Sequence, residues 1–484
     1  MNTIQTIAKN TTALILARSI SMVLSLILLI FVARFLGDVD YGKYSFALKF
    51  TGLFAIFADL GLSTLMIREV ARDKSLSGKY LSNIAVIKVV LSVATFAFIV
   101  LIINLMHYPA DTTTAVYLAG ISVILASFSS LFQSIFAAFE RMEYGALLSI
   151  ILTIIHVPLG LLVLFSGYGL IELVSVFVIV GIINFLLSFS IVIKKFVKPK
   201  LEIDFGLWKH LILNGAPFSL TMIAGMIYLQ IDTVMLSVMK GDAPVGWYTA
   251  AYTLVLALLV IPDIFGYAIF PAMSKLFVSS KDSLKIMLEK SSKYLFSLGL
   301  PISVGTILLA DRIILMIYGE EYIHSIIALQ ILSLYLPLRY LNHAMSYTLS
   351  AINKEPLHTM CVTITAASNV VLNLFLIPAF SFVGAGIATV LTEFILFAFY
   401  FYFVAKHFHR LRLQKIVIKP CISCLVMGGF VFYFKDANLF LLVISAAVIY
   451  FGILYFVRAF DSDDEKMFKG LMRDAINKIR SIIK

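Results

Sequence analysis

The sequence predicts an all-α polytopic membrane protein with fourteen transmembrane helices, arranged as two parallel six-helix repeats plus two C-terminal helices. Three observations predict it. First, 61% of the 484 residues are hydrophobic and only 13% are charged, whereas a soluble domain runs at about 45–50% apolar and about 25% charged. No soluble fold buries such an excess. Second, apolar stretches follow one another with short loops between them, each near the roughly 20 residues that cross about 30 Å of hydrocarbon at 1.5 Å per residue. Third, the Lys and Arg residues alternate from loop to loop. This layout excludes a large soluble catalytic domain, and three cysteines do not make a disulfide framework.

In chain order the spans fall at 11–35, 44–67, 81–106, 114–138, 145–166 and 170–193, then at 211–238, 247–274, 292–310, 323–352, 357–379 and 382–405, and finally at 417–434 and 438–457. The first starts after Lys9, is too long for a signal-peptide core and has no small-residue cleavage site behind it, so it is expected to be retained. Fourteen spans put both termini on one side. The loops of that side carry 29 of the 38 Lys and Arg residues, the opposite loops only Lys43, Lys240, Arg312 and Lys435. Positive loops face the cytoplasm. A multi-pass protein of the cell membrane with cytoplasmic termini is therefore expected, and the net charge of +11 reads as topology rather than nucleic-acid binding. In the tail, Phe468, Leu471, Met472, Ile476, Ile479 and Ile482 recur at helical spacing among Lys and Arg, as in an amphipathic helix lying on anionic lipid or in a solvated tail.

The two repeats show in a weak self-similarity. Gly37-Asp38, Gly42-x-Tyr44 and Asp59 recur 204 residues later as Gly241-Asp242, Gly246-x-Tyr248 and Asp263, and Ala138-x-x-Arg141 recurs as Ala351-x-x-Lys354. Each copy has an even number of spans, so both enter from one side and are related about an axis along the membrane normal, as in transporters. The expected division is an N-terminal six-helix lobe over 1–205, a second over 206–410, helices 13 and 14 over 411–460, and the tail over 461–484.

Charges inside hydrocarbon are expensive and need a reason. Arg18, Lys88, Arg339 and Lys49 form a candidate basic lining for an anion; for Lys88 and Lys49 the alternative is snorkelling to an interface. The repeat mates Asp59 and Asp263 either pair with these cations or take up a coupling cation. Asp232 on span 7 is placed to meet Asn369 and Asn373, one turn apart on span 11, with Thr389 on span 12. A carboxylate, two amides and a hydroxyl suit a hard cation such as sodium, or serve as interhelical hydrogen bonding. His156, His343 and Tyr340 read as packed polar residues. Cys421-x-x-Cys424 lacks the further ligands zinc requires. There is no phosphate-binding glycine loop and no nucleophile with a base, so an enzyme is not expected.

An ordered set of landmarks resembles the polysaccharide transporter family, the O-antigen flippase branch of the multidrug/oligosaccharidyl-lipid/polysaccharide exporter superfamily. They are Arg34-Phe-Leu-Gly-Asp-x-x-Tyr-Gly-x-Tyr44, Asp59-Leu-Gly-Leu-Ser running into Arg68-Glu69-Val-Ala-Arg72, Gln230-Ile-Asp232-Thr, Gly246-x-Tyr248-x-Ala250-Ala251, Phe270-Pro271-x-x-Ser274-Lys275, Tyr318-Gly319-x-x-Tyr322, Leu376-Ile377-Pro378 and Gly384-Ala385-Gly386-Ile387-Ala388. The resemblance covers residues 1 to about 410. It implies V-shaped six-helix bundles and alternating access, with lipid-linked oligosaccharide on polyprenyl phosphate or pyrophosphate moved from the cytoplasmic to the outer leaflet. It also implies no cofactor, a possible coupling ion (sodium or a proton) and no nucleic-acid partner; a monomer is expected because one chain completes the cavity. Arg18 matches a substrate-contact arginine of related flippases in kind. Asp232, Asn369, Asn373 and Thr389 match a sodium site of some relatives, with Asn373 where an acid can occur, so the site here carries less charge. A cation-coupled multidrug exporter and a lipid II flippase are the alternatives.

Overall fold

The computed structural model describes residues 3–197 and 202–459, with side chains from Ile20 onward except at 216–218, 220 and 221. The amphipathic tail expected over 461–484 and the side chain of Arg18 lie outside the described residues. Every regular element described is helical, as hydrocarbon demands, because only a helix satisfies its backbone polar groups within one segment. The first half is α1 (Thr3–Phe54), α2 (Leu62–Arg72), α3 (Ser77–Leu105), α4 (Ala110–Ala138), α5 (Glu143–Phe165) and α6 (Leu170–Lys195). There follow α7 (Phe205–Lys240), α8 (Asp242–Leu258), α9 (Val260–Ser279), α10 (Lys281–Leu308), α11 (Ala310–Ile317), α12 (Ser325–Ser333), α13 (Tyr335–Ala351) and α14 (Glu355–His407). α15 (Leu413–Tyr433) and α16 (Leu439–Phe456) complete the described chain.

Among the described residues ten helical stretches are long and apolar enough to cross a membrane, eleven if the bent pair α10 and α11 is one span. The sequence predicts fourteen. The difference arises at three places. α1 contains expected span 1 and the first part of expected span 2 as one helix with a kink at Gly37. α14 contains expected spans 11 and 12 and turns at Ser381, whose φ of 54° is strained for a residue with a side chain. Expected span 10 is divided between α12 and α13.

The repeated glycines have a geometric reason. Gly37 (φ 73°, ψ 177°) and its repeat mate Gly241 (φ 83°, ψ −167°) share one backbone conformation, essentially reserved for glycine, and each turns the chain from one span into the next. Five residues on, Gly42 and Gly246 mark the crossing of α1 and α8. A Cβ on Gly42 would stand 1.9 Å from the carbonyl oxygen of Asp242, and one on Gly246 2.0 Å from that of Asp38. The contact is reciprocal: each glycine meets the backbone of the other's motif. Tyr322 and Tyr318 reinforce the corner, their hydroxyls donating to Ala33 O on α1 (2.8 Å) and Ala250 O on α8 (3.1 Å).

Expected span 2 is interrupted. α1 ends at Phe54, a 3-10 turn covers Ala55–Ala58, and Leu60 (φ 47°) and Gly61 (φ 73°) break the helix before α2 begins. α2 then lays one apolar face against α3 and α4, burying Leu62, Leu65, Met66 and Val70 with Ile84, Ile87, Leu131 and Ile135. Outside the spans, Asp204 caps α7, accepting from the amides of Gly206 and Leu207, and its carboxylate meets Lys79 at 2.6 Å. The Lys79 hydrogen bond holds Asp204 below the usual carboxylate range.

By contact the chain forms two compact units. One comprises Met1–Ile264, Ile314–Leu332 and Glu355–Leu396, the other Phe265–Ile313, Ser333–Lys354 and the chain from Phe397. The core of the second joins α10, α15 and α16 through Leu309, Cys424, Met427, Val431, Leu442 and Leu454. Pro301 lies inside α10 and cannot donate to the carbonyl four residues back. That carbonyl, on Ser297, takes the Tyr450 hydroxyl instead (2.8 Å).

Candidate functional site

Asp232, Asn369, Asn373 and Thr389, chosen from sequence, are brought together in the first unit. α7 carries Asp232, and α14 carries the amides before its turn at Ser381 and the threonine after it. All four are at least 95% buried. The Asn373 amide donates to Asp232 Oδ1 (2.5 Å) and to Asn369 Oδ1 (2.9 Å). Asp232 Oδ2 accepts from the Thr389 hydroxyl and from Tyr248 Oη on α8, both at 2.9 Å. A carboxylate buried this deeply in apolar surroundings must be paired, hydrogen-bonded or neutralised. Here it has three donors and, among the described residues, no cationic side chain in an ion pair with it.

Two details make the cluster short of donors and rich in oxygen. Asn373 Oδ1 is buried with no hydrogen-bond partner. The Thr389 hydroxyl lies 2.9 Å from Asp232 and 3.0 Å from the Ala385 carbonyl, one hydrogen facing two acceptors. Turning the Asn373 amide over, an exchange of nearly equal atoms, would aim its oxygen at Asp232 and Asn369. With Thr389 donating to Ala385, four neighbouring side chains would present oxygen lone pairs. Hard cations take such oxygen sets, and a single carboxylate balances one positive charge. The residues therefore fit a monovalent cation.

Sequence reasoning did not put Tyr248 in this set, although the repeat marked it as the mate of Tyr44. It also missed a second polar contact one helical turn along the same two helices. Tyr228, four residues before Asp232, donates to the fully buried carboxylate of Glu393, four residues after Thr389. Two i, i+4 pairs on facing helices meet at successive levels.

The remaining candidates are placed differently. Lys88 and Asp59 find each other. The ammonium is wholly buried, pairs with Asp59, and donates to Ser127 O (2.6 Å), with Ser63 Oγ and Ser127 Oγ each at 3.1 Å. Ser127 in turn donates to Ala58 O (2.8 Å) at the broken end of span 2. Lys88 thus ties α3, α4 and the break together and does not snorkel. Lys49 is half-buried on α1 with no ion pair or hydrogen bond to its ammonium among the described residues. Asp263 is half-buried in the first turn of α9. Arg339, on α13 in the second unit, holds its guanidinium 5.9 Å from the centre of the Tyr335 ring. The backbone of Arg18 lies in α1.

Residues 7–277 match the family described as polysaccharide biosynthesis protein. The chain belongs to this family. The matched span includes Arg18, Lys49, the Lys88–Asp59 pair, Asp232 and Tyr248; Asn369, Asn373 and Thr389 lie beyond it. Similarity to individual relatives runs further. The probable low-salt glycan biosynthesis flippase Agl15 of Haloferax volcanii is 25% identical over 480 residues, covering 96% of this chain and 99% of that protein. The capsular polysaccharide biosynthesis protein CapF of Staphylococcus aureus is 23% identical over 83% of this chain and 100% of its own length. Among solved structures, the lipid II flippase MurJ in an inward closed conformation superposes with a TM-score of 0.76 at 19% identity, over 92% of this chain and 98% of its own. That likeness shows that this polysaccharide biosynthesis family member has the MurJ fold.

Proposed function

We propose that this protein is a flippase that carries polyprenyl-(pyro)phosphate-linked oligosaccharide from the cytoplasmic to the outer leaflet, for surface-glycan synthesis. The observation that carries the reading is end-to-end similarity to a named glycan flippase, over 96% of this chain and 99% of that one. A shared local motif would not support a shared transport path; similarity over nearly the whole of both chains supports it. The protein is a transporter and not an enzyme. Arg18 and the half-buried Lys49, both on α1, are assigned to the phosphate, through charge-assisted hydrogen bonds; the half-buried Arg339 of the second unit is a separate candidate for the same chemistry. Lys88 and Asp59 position α3 and α4 and are not assigned to the ligand; Asp263 is assigned to balance the basic lining.

The fourteen-span reading, with lobes at 1–205 and 206–410, helices 13 and 14 at 411–460 and both termini cytoplasmic, is supported by the turns at Gly37 and Ser381. On this reading each kink lies between two crossings. A monomer in the cell membrane follows if one chain completes the path. The Asp232 cluster is assigned to a coupling sodium ion, whose release and uptake would bias one packing of α7 and α14 over another. A proton at the same carboxylate is the other coupling ion of this chemistry.

The test is deletion of the gene in its source organism. Lipid-linked glycan extracted from inverted membranes should accumulate in the inner leaflet, and surface glycan should fall. Unchanged surface glycan would overturn the reading. The MurJ fold favours one second reading, transport of lipid II; a deletion that stops cell-wall synthesis while sparing other surface glycans would establish it.

A further inference from the structure

The second unit contains a cavity of about 540 Å³ at the basic end of α10 and α15, remote in sequence from every residue assigned to transport. Among the described residues its lining collects Lys290, Lys293, Arg412, Lys415 and Lys419, with one acid, Glu289. Glu289 is engaged by His409 at 2.9 Å. The first turn of α15 lines the cavity, and its N-cap residue Arg412 makes no side-chain cap, so the open amides of that turn add to the positive field. Ile286, Ile416 and Ile418 supply an apolar floor, with Ile286 and Ile418 exposed.

The four features, a concave shape, five cations, an uncapped helix N-terminus and an adjoining apolar strip, match one ligand chemistry. We propose that this cavity binds the anionic phosphate headgroup of a lipid, with an acyl or prenyl chain laid along the isoleucines. Five positive charges held within one cavity repel one another. A phosphate diester or monoester relieves that repulsion and accepts from the uncapped amides, as anions do at helix N-termini. The ordinary alternative is that the lysines only mark the interface. Interface lysines spread over loops; these converge on a hollow that continues into apolar surface. Basic pockets between spans on the positively charged side are a common headgroup site. Two sources share the chemistry, bulk anionic phospholipid and polyprenyl phosphate waiting to be loaded. This proposal goes beyond the transport reading and does not depend on it, because headgroup binding here is measured without flipping.

The test compares the purified full chain with the Arg412→Gln/Lys415→Gln double variant by native mass spectrometry and thermal shift. Neither side chain has an ion-pair or hydrogen-bond partner among the described residues. Lys419 is kept, because its ammonium donates to Arg458 O and is structural. Phosphatidylglycerol should bind and stabilise the wild type; phosphatidylcholine should not. Each surface cation contributes a factor of about five in affinity, so the double variant should bind about 30-fold more weakly. The charge-preserving Arg412→Lys/Lys415→Arg variant should bind like wild type, which separates lost charge from lost folding. Equal binding of phosphatidylcholine, or undiminished phosphatidylglycerol binding by the Gln variant, would overturn the proposal. In parallel arms, displacement of phosphatidylglycerol by polyprenyl phosphate at lower concentration would identify a loading site, and displacement only by excess would identify a bulk-lipid site. Competition by millimolar inorganic phosphate alone, with no preference for lipid, would overturn the lipid component.

Discussion

At the scale of single residues, the Asp232 cluster and the Lys88–Asp59 pair make opposite predictions. The cluster is proposed to hold an ion that it gains and loses. Asp232→Asn should abolish stabilisation by sodium, with the melting temperature in 150 mM sodium chloride no higher than in choline chloride. Asn373→Asp adds a second carboxylate beside the first and should tighten sodium binding by about tenfold or more, because charge count tunes such sites. Sodium-dependent melting unchanged in Asp232→Asn would remove the ion from this cluster. Lys88, by contrast, has spent its donors on protein atoms. Lys88→Met should cost about 3–5 kcal/mol, because Asp59 is left without its partner. Lys88→Met/Asp59→Leu should recover much of that loss. A double variant as unstable as the single one would contradict the pairing account, and chemical unfolding in detergent reads both. Much of this site was legible in the sequence. Asn369 and Asn373 share a helix face by their spacing, and polar side chains in an apolar span must find partners. Tyr248 was not legible as a member, because a tyrosine among apolar residues looks like core until another helix brings an acid to it. The sequence offered Asp59 a pairing with one of the buried cations but not which one, since the Lys88 contact forms where span 2 breaks at Leu60 and Gly61, and no periodicity foretells that break.

At the scale of elements, the repeat found as a faint offset in sequence is a packing device. Gly37 and Gly241 turn the chain, and Gly42 and Gly246 let α1 and α8 approach until each touches the other's backbone. Small residues allow this closeness between helices in lipid, where packing and not hydrophobic exclusion drives association. The neighbour at 2.0 Å from a Cβ on Gly246 is a carbonyl oxygen, which cannot rotate away as a side chain would. Gly246→Ala should therefore force the two helices apart and lower stability by about 1–3 kcal/mol, the usual cost of overpacking. Gly429→Ala is the control: a Cβ there meets nothing within 4 Å. On α15 it should leave stability unchanged, or raise it slightly by helix propensity. Equal effects of the two substitutions on the melting temperature would refute the close-crossing argument. The sequence offered the glycines and their offset. It did not say that the two copies face each other, since offsets carry no direction in space.

At the scale of the whole molecule, span number and sidedness are one question, and charge placement poses it sharply. With fourteen spans, 29 of 38 cationic residues lie in the loops of one side and four in those of the other. Among the described residues helix length alone gives ten or eleven crossings, because the kinked helices α1 and α14 each count once and because α12 and α13 are each too short. If α12 and α13 do not jointly cross, every loop after them changes side, and the Lys and Arg of 406–419 would face outward, against the positive-inside tendency. Single cysteines introduced into a variant lacking Cys361, Cys421 and Cys424 decide the matter. At Gly167 and Asp436 they should react with a membrane-impermeant maleimide in intact cells. At Asp73, Asn353 and Arg410 they should react only after permeabilisation. Labelling of Asn353→Cys and Arg410→Cys in intact cells, with Asp436→Cys protected, would show that the α12–α13 pair turns back within the membrane. The chain would then have thirteen spans and its termini on opposite sides. Protection of both inner sites with labelling of Asp436→Cys establishes that the broken pair crosses, and the positive charge on one face is then the determinant that holds all fourteen in register.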